Sequence, residues 1–283
     1  MDSSIAFAAL LAARIGIFRD AARERAYGAN QGHVLAVTGV RREAAIARAV
    51  GVVAISHGGH QAHLRRGLSD KICPSTRGLI SFGVAGGLDP ELPRGATILA
   101  DEVVGADGRR WQADPAWRDA LRKLLPDAIS GAVAAADGPV TTPVAKAALR
   151  ASTSAAVVDN ESEATAEFAA RHGLPFVVLR VVLDDCATSL PDAALVALTS
   201  TGGTSLARIL ASLLANPRQM PDLIGCGRDA AHAFGVLARQ RRLLGTAFGR
   251  RDCMDDRADS VETSYDSMPD FSNQVSASLS ASP

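Results

Sequence analysis

The chain has 283 residues, 47% of them hydrophobic and 21% charged, which is enough apolar material for one large core. Its 30 basic residues balance 30 acidic ones, so the composition offers no basic face for a nucleic-acid partner. No run reaches the ~18–20 apolar residues of a membrane-crossing helix, and Cys73, Cys186, Cys226 and Cys253 lack metal or redox spacing, which reads as reduced thiols in a cytoplasmic protein.

Residues 1–32 form an N-terminal extension. Ile5 to Phe18 is mostly apolar, but Asp2 stands where a secretory signal would be positive and Arg14 interrupts the run. The expectation is a leader outside the folded core, with an amphipathic membrane contact as the alternative. From residue 33 short apolar runs alternate with helical patterns. Val34–Gly39, Val52–Ser56, Leu79–Gly83 and Ala96–Val104 read as the first four strands. RREAAIARAV reads as the first helix, and DPAWRDALRKLLP as another after the fourth strand. Ile129–Ala136, Ala155–Val158 and Phe176–Leu183 read as further strands, with a helix over 161–171 between the last two. Strands apolar on both faces and separated by helices imply a sheet covered on both sides. The expected class is α/β, a three-layer α/β/α sandwich with a mixed central sheet, over residues 33–250.

After Pro191 the pattern is helical, ending in DAAHAFGVLARQRRLL, whose basic end suits a helix C-terminus. From residue 252 there are seven acidic residues against one arginine, with many serines. Residues 251–283 are therefore expected to be a disordered tail.

In an open α/β sheet, ligands bind beyond the carboxyl ends of the strands. Those ends read TGVRRE, SHGGH, GVAGGL, DNES and DD, so acids, arginines and glycine-rich turns converge. The glycines at 83, 86 and 87 follow the third strand, not the first, and do not open a helix, which argues against a dinucleotide cofactor. His57, His60 and His63 lack a nearby carboxylate and carry no metal expectation. Asp159 and Ser162 are ordinary helix-capping residue types, and Glu161 an ordinary first-turn acid. Only their pairing with the second acidic strand end, at Asp184, points to chemistry. Asp185 reads as a solvated neighbour, and Thr141-Thr142-Pro143 as the cap of the next helix.

These segments resemble the purine nucleoside phosphorylase / nucleosidase superfamily. SFGVAGGLDPELPRGATILADEVV resembles its Gly-x-Ala-Gly-Gly-Leu turn and following strand, VVDNES its Val-Asp-Met-Glu-Ser/Gly signature, and LRVVLDD its Arg-x-Val-Ser-Asp segment. Within it, DPAWRDALRKLLP and SLARILASLLANPRQMPDLI are most similar to the hopanoid-associated branch, implicated in releasing adenine from adenosylhopane. The resemblance implies cleavage of the N-glycosidic bond of an adenine nucleoside, with no cofactor and with inorganic phosphate or water as co-substrate. It implies Asp184 as proton donor to purine N7, Glu161 as holder of the ribose hydroxyls and Glu43 as positioner of water. Ser81, Gly83, Gly86, Asp137, Val140 and Asn160 would line the substrate. Arg41, Arg42, Ser56, Gly58 and Gly59 would hold phosphate, through guanidinium forks and backbone N–H groups. It further implies a homo-oligomer, and for a lipid substrate a peripheral membrane contact.

Three positions depart from the family pattern. Asn160 replaces its Met, Leu183 its Ser before the catalytic Asp, and Pro139-Val140 stand where an aromatic follows Asp137. The last change opens space for a lipid tail or weakens base binding. Two other functions are compatible with these residues: a water-using nucleosidase for methylthioadenosine or adenosylhomocysteine, and a non-catalytic nucleoside-lipid binding protein.

Overall fold

A computed structural model describes residues 32–57, 61–136, 138–190 and 220–253. The expectations for Gly58, Gly59, His60 and Asp137, for the leader up to residue 31 and for the tail from residue 254 therefore lie outside the described residues. In chain order the elements are β1 (His33–Thr38), α1 (Arg41–Ala47), β2 (Val52–Ser56), α2 (Gln61–Lys71), β3 (Thr76–Gly87) and β4 (Thr97–Val104). They continue with β5 (Arg110–Gln112), α3 (Pro115–Leu124), β6 (Ile129–Ala135), α4 (Pro143–Thr153), β7 (Val157–Asp159), α5 (Ser162–His172), β8 (Phe176–Asp184) and α6 (Met220–Leu243).

Alternation along the strands explains the layers. Val34 and Ala36 of β1, Ile80 and Phe82 of β3, and Val177, Leu179 and Val181 of β8 pack with Trp117 and Leu121 of α3 and Ala233 and Leu237 of α6. The intervening residues, among them Leu35, Val37, Leu79 and Val178, pack with Leu64 and Leu68 of α2 and Ala164, Ala166 and Phe168 of α5. Helices thus cover both faces of the sheet, which is why the strands carry few exposed positions. The α/β class with a mixed sheet is the observed one.

The sheet runs β2-β1-β3-β7-β6-β4-β5, with β8 paired to both β3 and β4. β1, β2, β3 and β8 run parallel to their neighbours among themselves, while β7 is antiparallel to β3 and β4 antiparallel to β8. Since β6 joins β4 to β7, strands β3, β8, β4, β6 and β7 close a ring. That closure goes beyond what periodicity indicates, because β3 and β8, and β4 and β8, are far apart in sequence, and the edge strand β5 is too short, at three residues, to show a period.

One expectation is corrected. The third strand does not end at Gly83; β3 continues through Val84 to Gly87, and Gly86 and Gly87 pair with Val158 and Val157 of β7. These glycines are sheet residues with neighbours on top of them, not a turn. An added Cβ at Gly87 would lie 3.0 Å from the Asp184 carbonyl oxygen.

Past α6 the chain returns under the sheet. Trp117 Nε1 donates to the Phe248 carbonyl at 2.9 Å, and Cys253 is buried. Among the described residues, no helix is long and apolar enough to cross a membrane.

Candidate active site

Glu43 enters the site because α1 begins immediately after β1. Its carboxylate accepts from the N–H groups of Gly39 and Val40 (both 2.9 Å) and, across the sheet, from Val84 N–H at 2.8 Å. The first two satisfy N-terminal donors of the loop and helix, and the third fixes α1 against β3. Glu43 is 2% exposed. Burial pushes its pKa up, against the pull of Arg180 and the three N–H donors.

Arg180 points from β8 to the α5 face and is fully buried. Its Nε lies 2.6 Å from Asp159 Oδ2, and its Nη2 donates to Ser81 Oγ at 2.6 Å and to Glu161 Oε2 at 3.2 Å. Burial alone would lower its pKa, but Asp159, Glu161 and Glu43 together raise it. Three buried carboxylates around one guanidinium leave surplus negative charge. Burial is the largest reason that Glu161 is pushed up to about 8, with Asp159 and Glu43 adding to it and Arg180 opposing. His57 Nε2 lies 4.0 Å from Glu161 Oε1.

The β7–α5 junction delivers Glu161. Asp159 Oδ1 accepts from the N–H groups of Glu161 (3.1 Å) and Ser162 (2.9 Å), and Ser162 Oγ donates to Ser81 Oγ at 3.0 Å. Asp159 is thus a cap as well as an ion-pair partner. Space for the cluster comes from missing side chains. A Cβ at Gly83 would lie 2.4 Å from Glu43 Oε1 and 2.6 Å from Arg180 Nη1, and one at Gly39 would lie 2.8 Å from Glu161 Oε1.

Asp184 ends β8 and pairs in register with Gly86. Both of its carboxyl oxygens would be 3.7 Å from a Cβ on Gly86, an ordinary contact distance, with Val158 Cγ1 closer at 3.3 Å. Asp184 is 4% exposed and its Oδ2 accepts from the Lys146 ammonium. Burial raises the Asp184 pKa, while the Lys146 hydrogen bond and charge oppose the rise. Asp185, expected as a solvated neighbour, is partly exposed and accepts from Arg94 Nε at 3.0 Å and from Thr188 Oγ1 at 2.6 Å.

The structure brings Glu43, Ser81, Gly83 and Glu161 together around Arg180, with Gly86 and Asp184 at the neighbouring strand ends. Asn160 is half-buried at the junction. Val140 packs partly buried against Leu88, Ala134, Ala155 and Val158. Arg41 and Arg42 are exposed on α1, and the Arg42 guanidinium lies over the Phe234 ring at 4.4 Å. Ser56 ends β2 half-buried beside Thr38.

The match of the chain to known families decides what this cluster belongs to. The family model described as "Phosphorylase superfamily" covers residues 33–215, from β1 past β8. The chain belongs to the phosphorylase superfamily. It is thus a member of an enzyme family. Several solved structures share the fold. One is the 5′-methylthioadenosine/S-adenosylhomocysteine nucleosidase of Neisseria meningitidis in complex with methylthio-immucillin-A, 18% identical, with TM-score 0.52 over 64% of this chain and 98% of that one. Another is the nucleosidase of the same name from Colwellia psychrerythraea in complex with adenine, also 18% identical with TM-score 0.52, covering 65% and 96%. Futalosine hydrolase of Helicobacter pylori is 16% identical, with TM-score 0.52 over 65% of this chain and 97% of that one. No curated protein sequence matches the chain significantly.

Sequence reasoning passed over two site residues. Arg180 lies in LRVVLDD, and a charged residue amid an apolar strand was the available signal, since burial demands a partner. Lys146 sits in PVAKAALRAST, whose pattern is that of a surface lysine on a helix. Nothing local marks it.

Proposed function

We propose that this enzyme cleaves the N-glycosidic bond of an adenine nucleoside, and that the nucleoside is the lipid-linked adenosylhopane. One observation carries the reading: a buried Glu43–Arg180–Glu161 cluster forms where β1, β3 and β8 run parallel, and a buried Asp184 ends β8, the strand that carries Arg180. Breaking the C1′–N9 bond leaves positive charge on the ribosyl ring and sends an electron pair onto the purine. Asp184 gives a proton to N7, and its burial keeps that proton available. Glu161 accepts the ribose hydroxyls through its carboxyl oxygens. Ser81, Gly83, Gly86, Asp137, Val140 and Asn160 line the nucleoside.

Two nucleophiles fit. Water would be oriented by Glu43, already rigidly held by three N–H donors. Phosphate would be taken by Arg41, Arg42, Ser56, Gly58 and Gly59, of which both arginines are exposed. The burial of Glu43 in the cluster favours water, which would place a methylthioadenosine-type nucleosidase as the second reading. Two of the relatives described above are named nucleosidases and a third a hydrolase. The hopanoid substrate rests on the branch-like segments and on Pro139-Val140 in place of an aromatic. A substrate of that kind resides in a membrane, so peripheral contact and a homo-oligomer in the cytoplasm belong to the same proposal.

The test is adenine release from adenosylhopane, methylthioadenosine and adenosylhomocysteine, each with and without phosphate. Release from adenosylhopane alone supports the full proposal, and a phosphorylated sugar product identifies phosphate as nucleophile. Asp184→Asn is expected to lower turnover by about 10²–10⁴-fold. Tight binding of all three without any adenine release would instead mean a binding protein.

A further inference from the structure

Lys146 is a fully buried charge with no part in the proposed function so far. It lies in α4 with no exposed surface, and its ammonium donates to Asp184 Oδ2, to the Asp185 carbonyl at 2.6 Å and to the Thr188 carbonyl at 3.1 Å. Three donors meet three acceptors, so the ammonium is fully committed to the end of β8 and the loop behind it. Burying a lysine is costly unless it is paired and hydrogen-bonded. The other charged groups facing Asp184 are Asp185 from its own strand end and Arg94 from the β3–β4 connection, which is also bonded to Asp229 of α6. Among the described residues, only the Lys146 side chain bonds the Asp184 carboxyl.

We propose that Lys146 is the positioning residue of Asp184, holding Oδ2 so that Oδ1 serves the purine and stabilising the carboxylate that proton donation leaves behind. The proposal rests on Asp184 being the acid. In that step the C1′–N9 electron pair moves onto the purine, the Asp184 O–H proton goes to N7, and the resulting carboxylate is met by the ammonium already on Oδ2. Solvent supplies the proton that resets Asp184. The same ammonium narrows the range of use, because a cation beside a carboxyl makes it lose its proton at lower pH.

The experiment is a carbon-13 carboxyl NMR titration of Asp184 in the full-length chain, assigned by its absence in Asp184→Asn. Wild type is compared with Lys146→Met and with Lys146→Arg, and adenine release is followed over the same pH range. In Lys146→Met the Asp184 midpoint is expected to rise by about 1–3 pH units. The basic limb of the kcat profile should rise with it, because activity needs the protonated acid, while kcat below that limb falls. Lys146→Arg should keep the midpoint near wild type. Where Lys146→Met does not fold by circular dichroism, Lys146→Gln, which keeps a hydrogen bond without the charge, gives the same comparison. An unmoved midpoint in a folded neutral variant overturns the proposal whatever the turnover. Wild type that releases no adenine, with a midpoint that still shifts, overturns the role of Asp184 as acid and leaves the Lys146 pairing standing.

Discussion

At Gly83 a single methyl group would collide with two charged side chains at once. The nearest atoms are Glu43 Oε1 at 2.4 Å and Arg180 Nη1 at 2.6 Å, both immobilised by other bonds. Gly83→Ala is therefore expected to cost about 1–3 kcal/mol of stability from overpacking, read as a lower urea midpoint, and to reduce turnover. Glu161 gives a pH prediction. Burial pushes its pKa up from the ordinary 4.5 to about 8 in the folded state. The folded state therefore holds the proton more tightly, so its contribution is complete below the unfolded value and is lost as pH rises through the folded one. Wild type should lose stability between those limits, and Glu161→Gln should flatten the decline in denaturation midpoints measured across them.

The helices owe their starts to particular side chains. Asp114 Oδ1 accepts from Trp117 N–H at 2.7 Å ahead of Pro115, and Thr142 Oγ1 accepts from Ala145 N–H at 3.2 Å ahead of Pro143. Both are acid or hydroxyl caps with proline at the first helical position, a pattern readable in the text. Asp114→Ala is expected to cost about 0.5–2 kcal/mol in chemical denaturation, with kcat unchanged because α3 lies away from the cluster. The cap of α5 is different. Asp159 caps Glu161 and Ser162 while pairing with Arg180, so replacing it would disturb helix and site together. Strand β3 was the element least legible in advance. Its glycines look like a turn because glycine usually is one, and only the side chains crowding them explain why they sit in a sheet.

For the whole molecule, the last described turn fastens the sheet face that carries α3 and α6. Phe248 is fully buried, its ring centroid 5.2 Å from that of Phe82, with the Arg241 guanidinium 4.3 Å from its centre. Ala247 and Phe248 both take left-handed backbone, with φ of 46° and 50°. Non-glycine residues seldom hold that conformation unless their surroundings enforce it. Here Arg241 Nη1 donates to the Gly245 carbonyl at 2.6 Å and Trp117 to Phe248. Phe248→Ala keeps the backbone requirement and removes the ring, so it should cost about 3–5 kcal/mol. Thermal denaturation would show it as a lower Tm, with turnover per folded molecule retained.

Periodicity and end-of-strand chemistry were sufficient for the α/β class, for most strands to within a residue or two, and for Glu161 and Asp184 as acids at strand ends. Those are local properties: alternation follows from the period of a strand, and a cap or an acid is written where it acts. The ring closed by β8, the passage of β3 through its glycines, the Arg180 cluster and the Lys146–Asp184 pair were decided only in the tertiary structure. Each depends on residues distant in sequence meeting in a dry interior. There a charge must find a partner, and the partner, 38 residues away for Lys146 and Asp184, leaves no trace in its own neighbourhood.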